Sequence, residues 1–234
     1  MNKQIVTIIT GTSRGIGQYL CKYYLNMGHK VIGCSRSDNA FKHPNYTHFL
    51  CEVSKEEEIK KVFEFIQEKD WKLSHLINNA AIASMNHSLL TPANTASQVL
   101  DTNVVGTFLF CREAARLMKK NEFGRIINFS SIAVSLHLEG ESIYAASKAA
   151  INTLTQVLAH EFAPFGITVN ALSPAPIATD LIRNVPKEKI EELIKKQAVK
   201  RMGTFEDISN IINFYFSEKS DFITGQNISL GGIV

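Results

Sequence analysis

Residues 4–17 read QIVTIITGTSRGIG, and this stretch decides the fold of the chain. Its first half is β-branched and almost continuous, as in a strand that is buried on both faces. Gly11, Gly15 and Gly17 then mark a short turn that leads into a helical stretch over 18–27. A strand, a glycine-rich turn and a helix in this order let the backbone approach a pyrophosphate, and the helix amino end supplies N–H donors. We therefore expect a dinucleotide site at this turn.

Strand and helix patterns alternate along the rest of the chain. The alternation predicts an α/β fold, a doubly wound parallel sheet of about seven strands with helices on both faces, in one domain over 1–234. Ser54 and Glu57 have the spacing of a capping box, and the third helix pattern is interrupted near Asn103 and Gly106. The predicted strands are 4–10, 30–34, 47–53, 75–78, 125–130, 168–172 and 227–230, and the predicted helices are 18–27, 55–68, 96–118, 142–162, 186–200 and 205–216.

The composition is that of an ordinary folded protein. Of 234 residues, 45% are hydrophobic and 20% are charged, which excludes disorder as the main state. No apolar run reaches the length of a membrane span, and the first residues lack a signal-peptide cleavage site. A net charge of +3, scattered along the chain, gives no reason to expect nucleic acid. Cys21, Cys34, Cys51 and Cys111 have no metal-ligand spacing, so we expect reduced thiols, no metal and a cytoplasmic location.

The glycine turn has the spacing T-G-x-x-x-G-x-G, and further motifs follow it in order. They are Asn78-Asn79-Ala80, Asn103-Val104-Val105-Gly106, Ser131 after Phe129-Ser130, Tyr144-Ala145-Ala146-Ser147-Lys148, Asn170-Ala171-Leu172-Ser173-Pro174 and Ile223-Thr224-Gly225-Gln226. On these motifs the chain resembles the short-chain dehydrogenase/reductase family, and much of it is similar to the bacterial 3-oxoacyl-acyl-carrier-protein reductases. The resemblance implies a Rossmann-type fold and hydride transfer with a nicotinamide cofactor.

Tyr144 and Lys148 are four residues apart and share one face of a helix. A free tyrosine is a poor acid-base catalyst at neutral pH, and we expect the neighbouring ammonium to lower its pKa. Tyr144 can then exchange a proton with a carbonyl or hydroxyl oxygen, while the hydroxyl of Ser131 polarises that oxygen. By resemblance, Lys148 also reaches the ribose hydroxyls, and Asn103 supports a water-linked proton path to Lys148. These four residues are the predicted catalytic set.

The second strand ends in Cys34-Ser35-Arg36-Ser37, where an NAD site usually has an acid, and the first acid is Asp38. Arg36 and Arg14 suit a 2′-phosphate instead, so we expect NADP(H) in preference to NAD(H). The full set of predicted cofactor-binding residues is Gly11, Ser13, Arg14, Gly15, Ile16, Gly17, Arg36, Glu52, Val53, Asn79, Ala80, Ala81, Tyr144, Lys148, Pro174, Ile177 and Thr179.

The substrate is expected in the loops after the strands, with residues 175–200 as a lid. His87, His137 and Glu139 are polar groups of these loops. The chain departs from the family at Ala81 and Ala175, where glycine is usual, and these methyl groups narrow or stiffen the cofactor site.

Three functions stay open. The first is an NADP(H)-dependent oxidoreductase that acts on a small carbonyl or secondary alcohol. The second is a 3-oxoacyl-acyl-carrier-protein reductase, although Glu122 and Phe165 stand where those reductases dock their acidic carrier through basic residues, with Lys119 and Lys120 nearby. The third is a non-catalytic NADP(H)-binding sensor or partner subunit. By resemblance we also expect a homodimer or homotetramer, paired through long helices whose surplus apolar residues include Val157, Leu158 and Phe162.

Overall fold

The computed structural model describes residues 4–38, 41–183 and 185–233. Residues 1–3, 39–40 and 234 of the predicted domain and residue 184 of its predicted lid lie outside the described residues. Seven parallel strands form one sheet in the order β3-β2-β1-β4-β5-β6-β7, which confirms the predicted sheet. The strands are β1 (Val6–Thr10), β2 (Lys30–Ser35), β3 (Tyr46–Leu50), β4 (Leu73–Asn78), β5 (Gly124–Phe129), β6 (Ile167–Ser173) and β7 (Asn227–Ser229).

Helices cover both faces of this sheet. They are α1 (Gly15–Asn26), α2 (Glu56–Glu68), α3 (Ala93–Leu100), α4 (Gly106–Met118), α5 (Ala133–Leu136), α6 (Ser142–Phe162), α7 (Lys187–Lys196) and α8 (Phe205–Phe216). Apolar residues of α2, α4 and α6 form one core with the sheet, and those of α1 and α8 form a second core on the opposite face. Single 3₁₀ turns lie at Ser88–Leu90, Lys119–Asn121, Ala163–Phe165, Asp180–Ile182, Glu218–Ser220 and Leu230–Gly232.

The continuous apolar runs of the strands follow from these two cores. In β1, Ile8 packs into the core under α2 and α4, whereas its neighbour Ile9 packs into the core under α1 and α8. Successive strand residues point to opposite faces, so a sheet that is covered twice needs apolar residues at successive positions. Each fully buried isoleucine contributes roughly 1.5–3 kcal/mol to the stability of the fold.

The order of the strands reverses beside β1. β1 pairs with β2 on one side and with β4 on the other. The chain therefore builds outward from β1 through β2 and β3, then returns to start the other half at β4. The connections on the two sides diverge here, and a crevice opens at the carboxyl ends of the two strands.

Two local predictions need correction. The prediction of a capping box at Ser54 is wrong. Helix α2 begins at Glu56 with Lys55 at its N-cap, and Glu57 forms an ion pair with Lys60. The start of the helix is displaced by one residue, which moves Ser54 out of reach of the first-turn N–H groups. The prediction that Leu158 is a surplus apolar residue of α6 is also wrong, since Leu158 is only 3% exposed and packs in the core.

The predicted interruption near Asn103 is confirmed. A π-helical turn, Asp101–Val105, separates α3 from α4. Such wide turns often mark functional positions in a helix. Gly106 follows directly, and a side chain there would lie 2.7 Å from the Val53 carbonyl oxygen. The turn thus brings Asn103 inward while the start of α4 packs tightly against the segment after β3.

Among the residues that the structure describes, no helix combines the length and apolar character needed to cross a bilayer.

Candidate active site

The glycine turn is held by the chain that follows β4. The side-chain Nδ2 of Asn79 donates to the carbonyl oxygens of Thr10 and Gly11, at 2.9 and 3.2 Å. The hydroxyl of Thr10 accepts from the backbone N–H groups of Asn79 and Ala80, at 3.0 and 2.9 Å. These four bonds fasten the ends of β1 and β4 to each other across the crevice.

The same packing explains the glycines. Gly11 has φ +73°, and a side chain there would meet Asn79 Nδ2 at 2.7 Å. A Cβ on Gly17 would overlap the Gly11 carbonyl oxygen, so α1 approaches the turn only because residue 17 has no side chain. The amino end of α1 therefore faces the crevice with backbone N–H groups that have no partner within the helix.

A polar cleft runs from this turn along the ends of β1, β2 and β4. Its lining includes most of the predicted cofactor residues, whereas Gly17 lies behind the turn. The predicted residues in the lining are Gly11, Ser13, Arg14, Gly15, Ile16, Arg36, Glu52, Val53, Asn79, Ala80, Ala81 and Thr179. The cleft is also lined by residues that the motifs do not predict as cofactor-binding, namely Ser35, Ser37, Cys51, Ile82, Thr102 and Asp180.

Carboxylates accompany both arginines of the cleft. Arg36 Nε lies 3.8 Å from Glu52 Oε2, and Arg14 lies 3.6 Å from Asp180. The Arg36 side chain is 62% exposed, so this pair is weak and open to exchange for another anion. Asp38, three residues beyond the end of β2, lines the cleft as well. Acidic and basic side chains therefore lie together in this cleft.

A second, largely apolar pocket adjoins the cleft. The two share Ile16, Asn79, Ala81 and Thr179 in their linings, so they form one continuous depression. Predicted residues that line the second pocket are Ser131, Tyr144, Lys148, Pro174 and Ile177. The structure thus brings the predicted hydroxyl, phenol and amine together in the lining of the apolar pocket.

Lys148 is only 3% exposed. Its Nζ donates to the Phe129 carbonyl oxygen at 2.7 Å, and the Ser130 hydroxyl donates to the Lys148 carbonyl oxygen at 3.1 Å. These bonds fasten α6 to the end of β5. Burial disfavours the charged amine and lowers the pKa of Lys148 to about 8, which leaves it mainly protonated at neutral pH.

The prediction that the pKa of Tyr144 is lowered is wrong. Burial raises the pKa of Tyr144 to about 12, although a hydrogen bond with Ser131 opposes the rise, and the negative charge of Glu141 adds to it. Lys148 does not reverse the shift, because its Nζ is engaged by Phe129 and lies 5.9 Å from the centre of the Tyr144 ring. At neutral pH Tyr144 therefore keeps its proton.

Asn103 lies outside both linings and is only 1% exposed. Its Nδ2 donates to the Ile82 carbonyl oxygen at 2.9 Å and to the Ser147 hydroxyl at 3.0 Å, and its Oδ1 accepts from the Ile82 N–H at 2.9 Å. Ser147 in turn donates to the Tyr144 carbonyl oxygen at 2.7 Å. Asn103 thus braces the end of β4 against the turn of α6 that carries Tyr144.

The polar groups expected from the substrate loops are not in the pocket. His87, His137 and Glu139 are exposed and lie outside its lining. The lining instead includes Glu141, which precedes Tyr144 by three residues. Residues at that spacing share a helix face, which is the signal that could have found it. Burial raises the pKa of the Glu141 carboxyl, and Lys189 on α7 opposes the rise.

Within residues 4–38, 41–183 and 185–233, no three His, Cys, Asp or Glu side chains are grouped so that they could hold a metal ion.

Comparison with known proteins decides the family. A family model described as enoyl-(acyl carrier protein) reductase matches residues 11–232. The chain belongs to the short-chain dehydrogenase/reductase family. The 3-oxoacyl-[acyl-carrier-protein] reductase of Rickettsia felis is 32% identical over 232 residues, 97% of this chain and 95% of the relative. The Escherichia coli protein of the same name is 29% identical over 233 residues, 97% and 96% of the two chains.

Solved structures agree with this assignment. The 4-hydroxyisoleucine dehydrogenase complexed with NADH has a TM-score of 0.88 and 28% identity, covering 99% of this chain and 98% of that one. The aldohexose dehydrogenase of Thermoplasma acidophilum has a TM-score of 0.89 and 28% identity, covering 99% and 94%. The chain is therefore an oxidoreductase of this family, and the family points to a nicotinamide cofactor. The comparisons give no support to the non-catalytic alternative.

The buried amine makes stability depend on pH in a way that can be measured. The pKa of Lys148 is about 8 in the folded chain against an ordinary 10.5, so unfolding takes up a proton between these values and the stability of the wild type rises with pH there. Lys148→Met removes this contribution. We expect the free energy of unfolding of the variant, relative to the wild type, to fall from pH 8 to pH 10 in urea titrations.

Lys42→Met, at an exposed lysine, is the matched control and is expected to keep a constant difference from the wild type. Parallel curves for Lys148→Met and the wild type across this range would contradict the buried, destabilised charge.

Proposed function

We propose that this protein transfers a hydride between NADP(H) and a carbonyl or secondary alcohol, with reduction of the carbonyl favoured at neutral pH. The observation that carries the proposal is that Tyr144 and Ser131 line an apolar pocket that adjoins the cleft beside the glycine turn. A phenol that keeps its proton is suited to donate it to a carbonyl oxygen.

The cleft fits a dinucleotide on observations of this chain. Gly15 has φ +56°, and the first neighbour of a Cβ built there is Thr179 at 3.7 Å, so the backbone is open toward the cleft. The amino end of α1 would hold the pyrophosphate, Arg36 with Arg14 the adenosine end, and Lys148 the ribose beside the reacting carbon. When bound, the nicotinamide ring supplies or accepts the hydride.

The side chains of the apolar pocket handle the proton and the substrate oxygen. In reduction, Tyr144 gives its proton to the substrate oxygen, and the Ser131 hydroxyl donates a hydrogen bond to the same oxygen. The carbonyl thereby gains one hydride and one proton and becomes an alcohol. Solvent then returns a proton to the phenolate that is left. Asn103 keeps this turn of α6 in place through Ser147.

Tyr144→Phe tests the role of the phenol. We expect kcat to fall by about 10²–10⁴-fold, the usual worth of a general acid, while nicotinamide fluorescence reports nearly unchanged cofactor binding. Turnover would be followed as NADPH oxidation across ketones, sugar derivatives and acyl thioesters.

Tyr19→Phe, on α1 and away from both pockets, is the matched control and is expected to keep the rate. A Tyr144→Phe enzyme that retained most of its activity would overturn the assignment of Tyr144.

The preference for NADP(H) rests on Arg36 and Arg14. A guanidinium binds a phosphate more strongly than it binds an exposed carboxylate, so a 2′-phosphate would displace Glu52 from Arg36. Asp38 and Glu52 weigh in the other direction, since an acid at this end suits a free ribose hydroxyl. We infer that the two arginines decide the preference for NADP(H). A 2′-phosphate carries two negative charges and needs cationic partners, and the ion pair between Arg36 and Glu52 is open to solvent.

Titration with NADPH and NADH tests this preference directly. We expect the wild type to bind NADPH about tenfold or more tightly than NADH, and Arg36→Ala to lose that difference, since a charged hydrogen bond contributes about 1.5–3 kcal/mol. Arg116→Ala, at an exposed arginine on α4, should change neither affinity.

Equal or tighter binding of NADH would overturn the NADP(H) preference but leave the oxidoreductase. Binding of neither dinucleotide would mean that Ala81 and Ala175 close the site, and it would count against the proposed function.

We also infer one domain over 1–234, with residues 175–200 as a lid over the apolar pocket. Ile190 and Leu193 of α7 line that pocket, as does Val185 ahead of it. The segment is tied at its base, because Ile177 bridges to Gly203 and the Ala198 N–H donates to the Gly231 carbonyl oxygen at 2.8 Å. A segment fastened at both ends can move over the pocket without unfolding.

Reduction of a 3-oxoacyl group on a carrier protein is the second candidate, and the names of the relatives favour it. At the two positions that resemblance assigns to carrier docking, Glu122 is an exposed acid and Phe165 is apolar. Lys119 lies 4.4 Å above the Phe165 ring, and Lys120 beside it is exposed. The acid opposes an acidic carrier and the lysines favour it, which is why acyl thioesters belong in the substrate screen.

We further propose that the protein is a homodimer or homotetramer. Val105 and Phe108, at the start of α4, and Val157 on α6 are exposed apolar residues, although both helices pack against the sheet on their other side. Such surplus apolar surface on long helices favours pairing of two copies.

Sedimentation at micromolar concentration tests the assembly. We expect a dimer or larger in the wild type, and a shift toward monomer in Phe108→Asp. Met27→Asp, at an exposed residue after α1, should leave the assembly unchanged. A wild type that sediments as a monomer would contradict the proposal.

A further inference from the structure

The pocket beside Tyr144 contains an unpaired carboxylate. Glu141 lies immediately before α6 and lines the pocket together with Tyr144 and Ser131. It is half-buried, and its carboxylate makes no hydrogen bond or salt bridge with any residue that the structure describes. A partly desolvated carboxylate without a partner is costly, and a ligand of opposite charge can offset that cost.

The residues that the structure describes around Glu141 provide no partner for its carboxylate, so a substrate would have to supply the positive charge. The walls are aliphatic, with Met85, Leu136, Leu138, Ile182, Val185 and Leu193 in the lining. Lys189 on α7 attracts the carboxylate, but the two lie farther apart than an ion pair. Glu139, two residues earlier, is exposed and outside the lining. Among the described residues, Glu141 is thus the one carboxylate in the lining, the Lys148 amine of the same lining donates to the Phe129 carbonyl oxygen, and Lys189 lies on the lid.

We propose that Glu141 determines substrate specificity by binding a cationic group, an ammonium carried close to the reacting carbonyl. This inference rests on the proposed function, because it places the carbonyl at Tyr144 and Ser131. Residues three apart on a helix have Cβ atoms about 5–6 Å from each other, so the cation lies within a few bonds of the carbonyl carbon. A substrate with a carboxylate at the same place meets like charge and is selected against.

A pair of ketones of equal shape tests this specificity. Acetonyltrimethylammonium carries a permanent positive charge, and 4,4-dimethylpentan-2-one has a carbon atom in place of its nitrogen. We expect Glu141→Gln to lower the ratio of kcat/KM values, cationic over neutral, by about tenfold relative to the wild type, as a modest charge interaction at a partly buried site would. The intrinsic reactivities of the two ketones cancel in this comparison.

Two further variants sharpen the test. Glu139→Gln removes an exposed carboxylate from the same segment and is expected to leave the ratio unchanged. Lys189→Gln removes the positive charge that faces Glu141 and is expected to raise the ratio, so the two charges should act with opposite sign. A ratio that is the same in Glu141→Gln and the wild type would overturn the proposal, even if both ketones are reduced.

Failure of the proposed function would look different. If the wild type with NADPH reduces neither ketone, calorimetric binding of the same two molecules to the NADPH-saturated protein replaces the rates. Tighter binding of the cationic ketone in the wild type but not in Glu141→Gln supports the carboxylate as a cation site, while the absence of turnover counts against the reductase alone. Equal binding of the two ketones overturns the cation site.

Discussion

The hydrogen bonds between Asn79 and the end of β1 are the interaction on which the rest of the site depends. They join β1 to β4 where the strand order reverses, so the cleft and the apolar pocket open on either side of one fixed point. Asn79 lines both depressions. Because its amide fills the space beside Gly11, the turn tolerates no side chain there, and α1 can begin close to the strand. The glycine spacing is thus a packing requirement of the turn itself.

Helix α6 is the second fixed element, and its burial shapes the chemistry. Ser130 and Phe129 fasten Lys148 to β5, while Ser147 and Asn103 fasten the previous turn to the segment after β4. A helix held from both sides cannot move its phenol and amine toward solvent, so both titrate in a largely apolar environment. The pKa of Tyr144 rises and the pKa of Lys148 falls for the same reason.

The sequence predicted the sheet, because a strand covered on both faces has no freedom in its pattern. Ile8 and Ile9 must both be apolar, and such runs are visible without a structure. Features that depend on one residue of register were less accessible, as at Ser54, where the helix starts one residue late. The pKa of Tyr144 was missed because spacing reveals that Lys148 is near but not that its amine is bound to Phe129. Glu141 was passed over because a glutamate before a helix is usually solvated.

Tyr144 and Glu141 are electrostatically coupled rather than separate groups. The charge of Glu141 helps Tyr144 to keep its proton, so the phenol stays protonated at neutral pH but is a weaker acid. A cation bound at Glu141 would cancel that effect and make the phenolate easier to form. The group that selects a substrate would then also set how readily the phenol gives up its proton. A neutral ketone would gain no such help, so discrimination by charge would act on the chemical step as well as on binding.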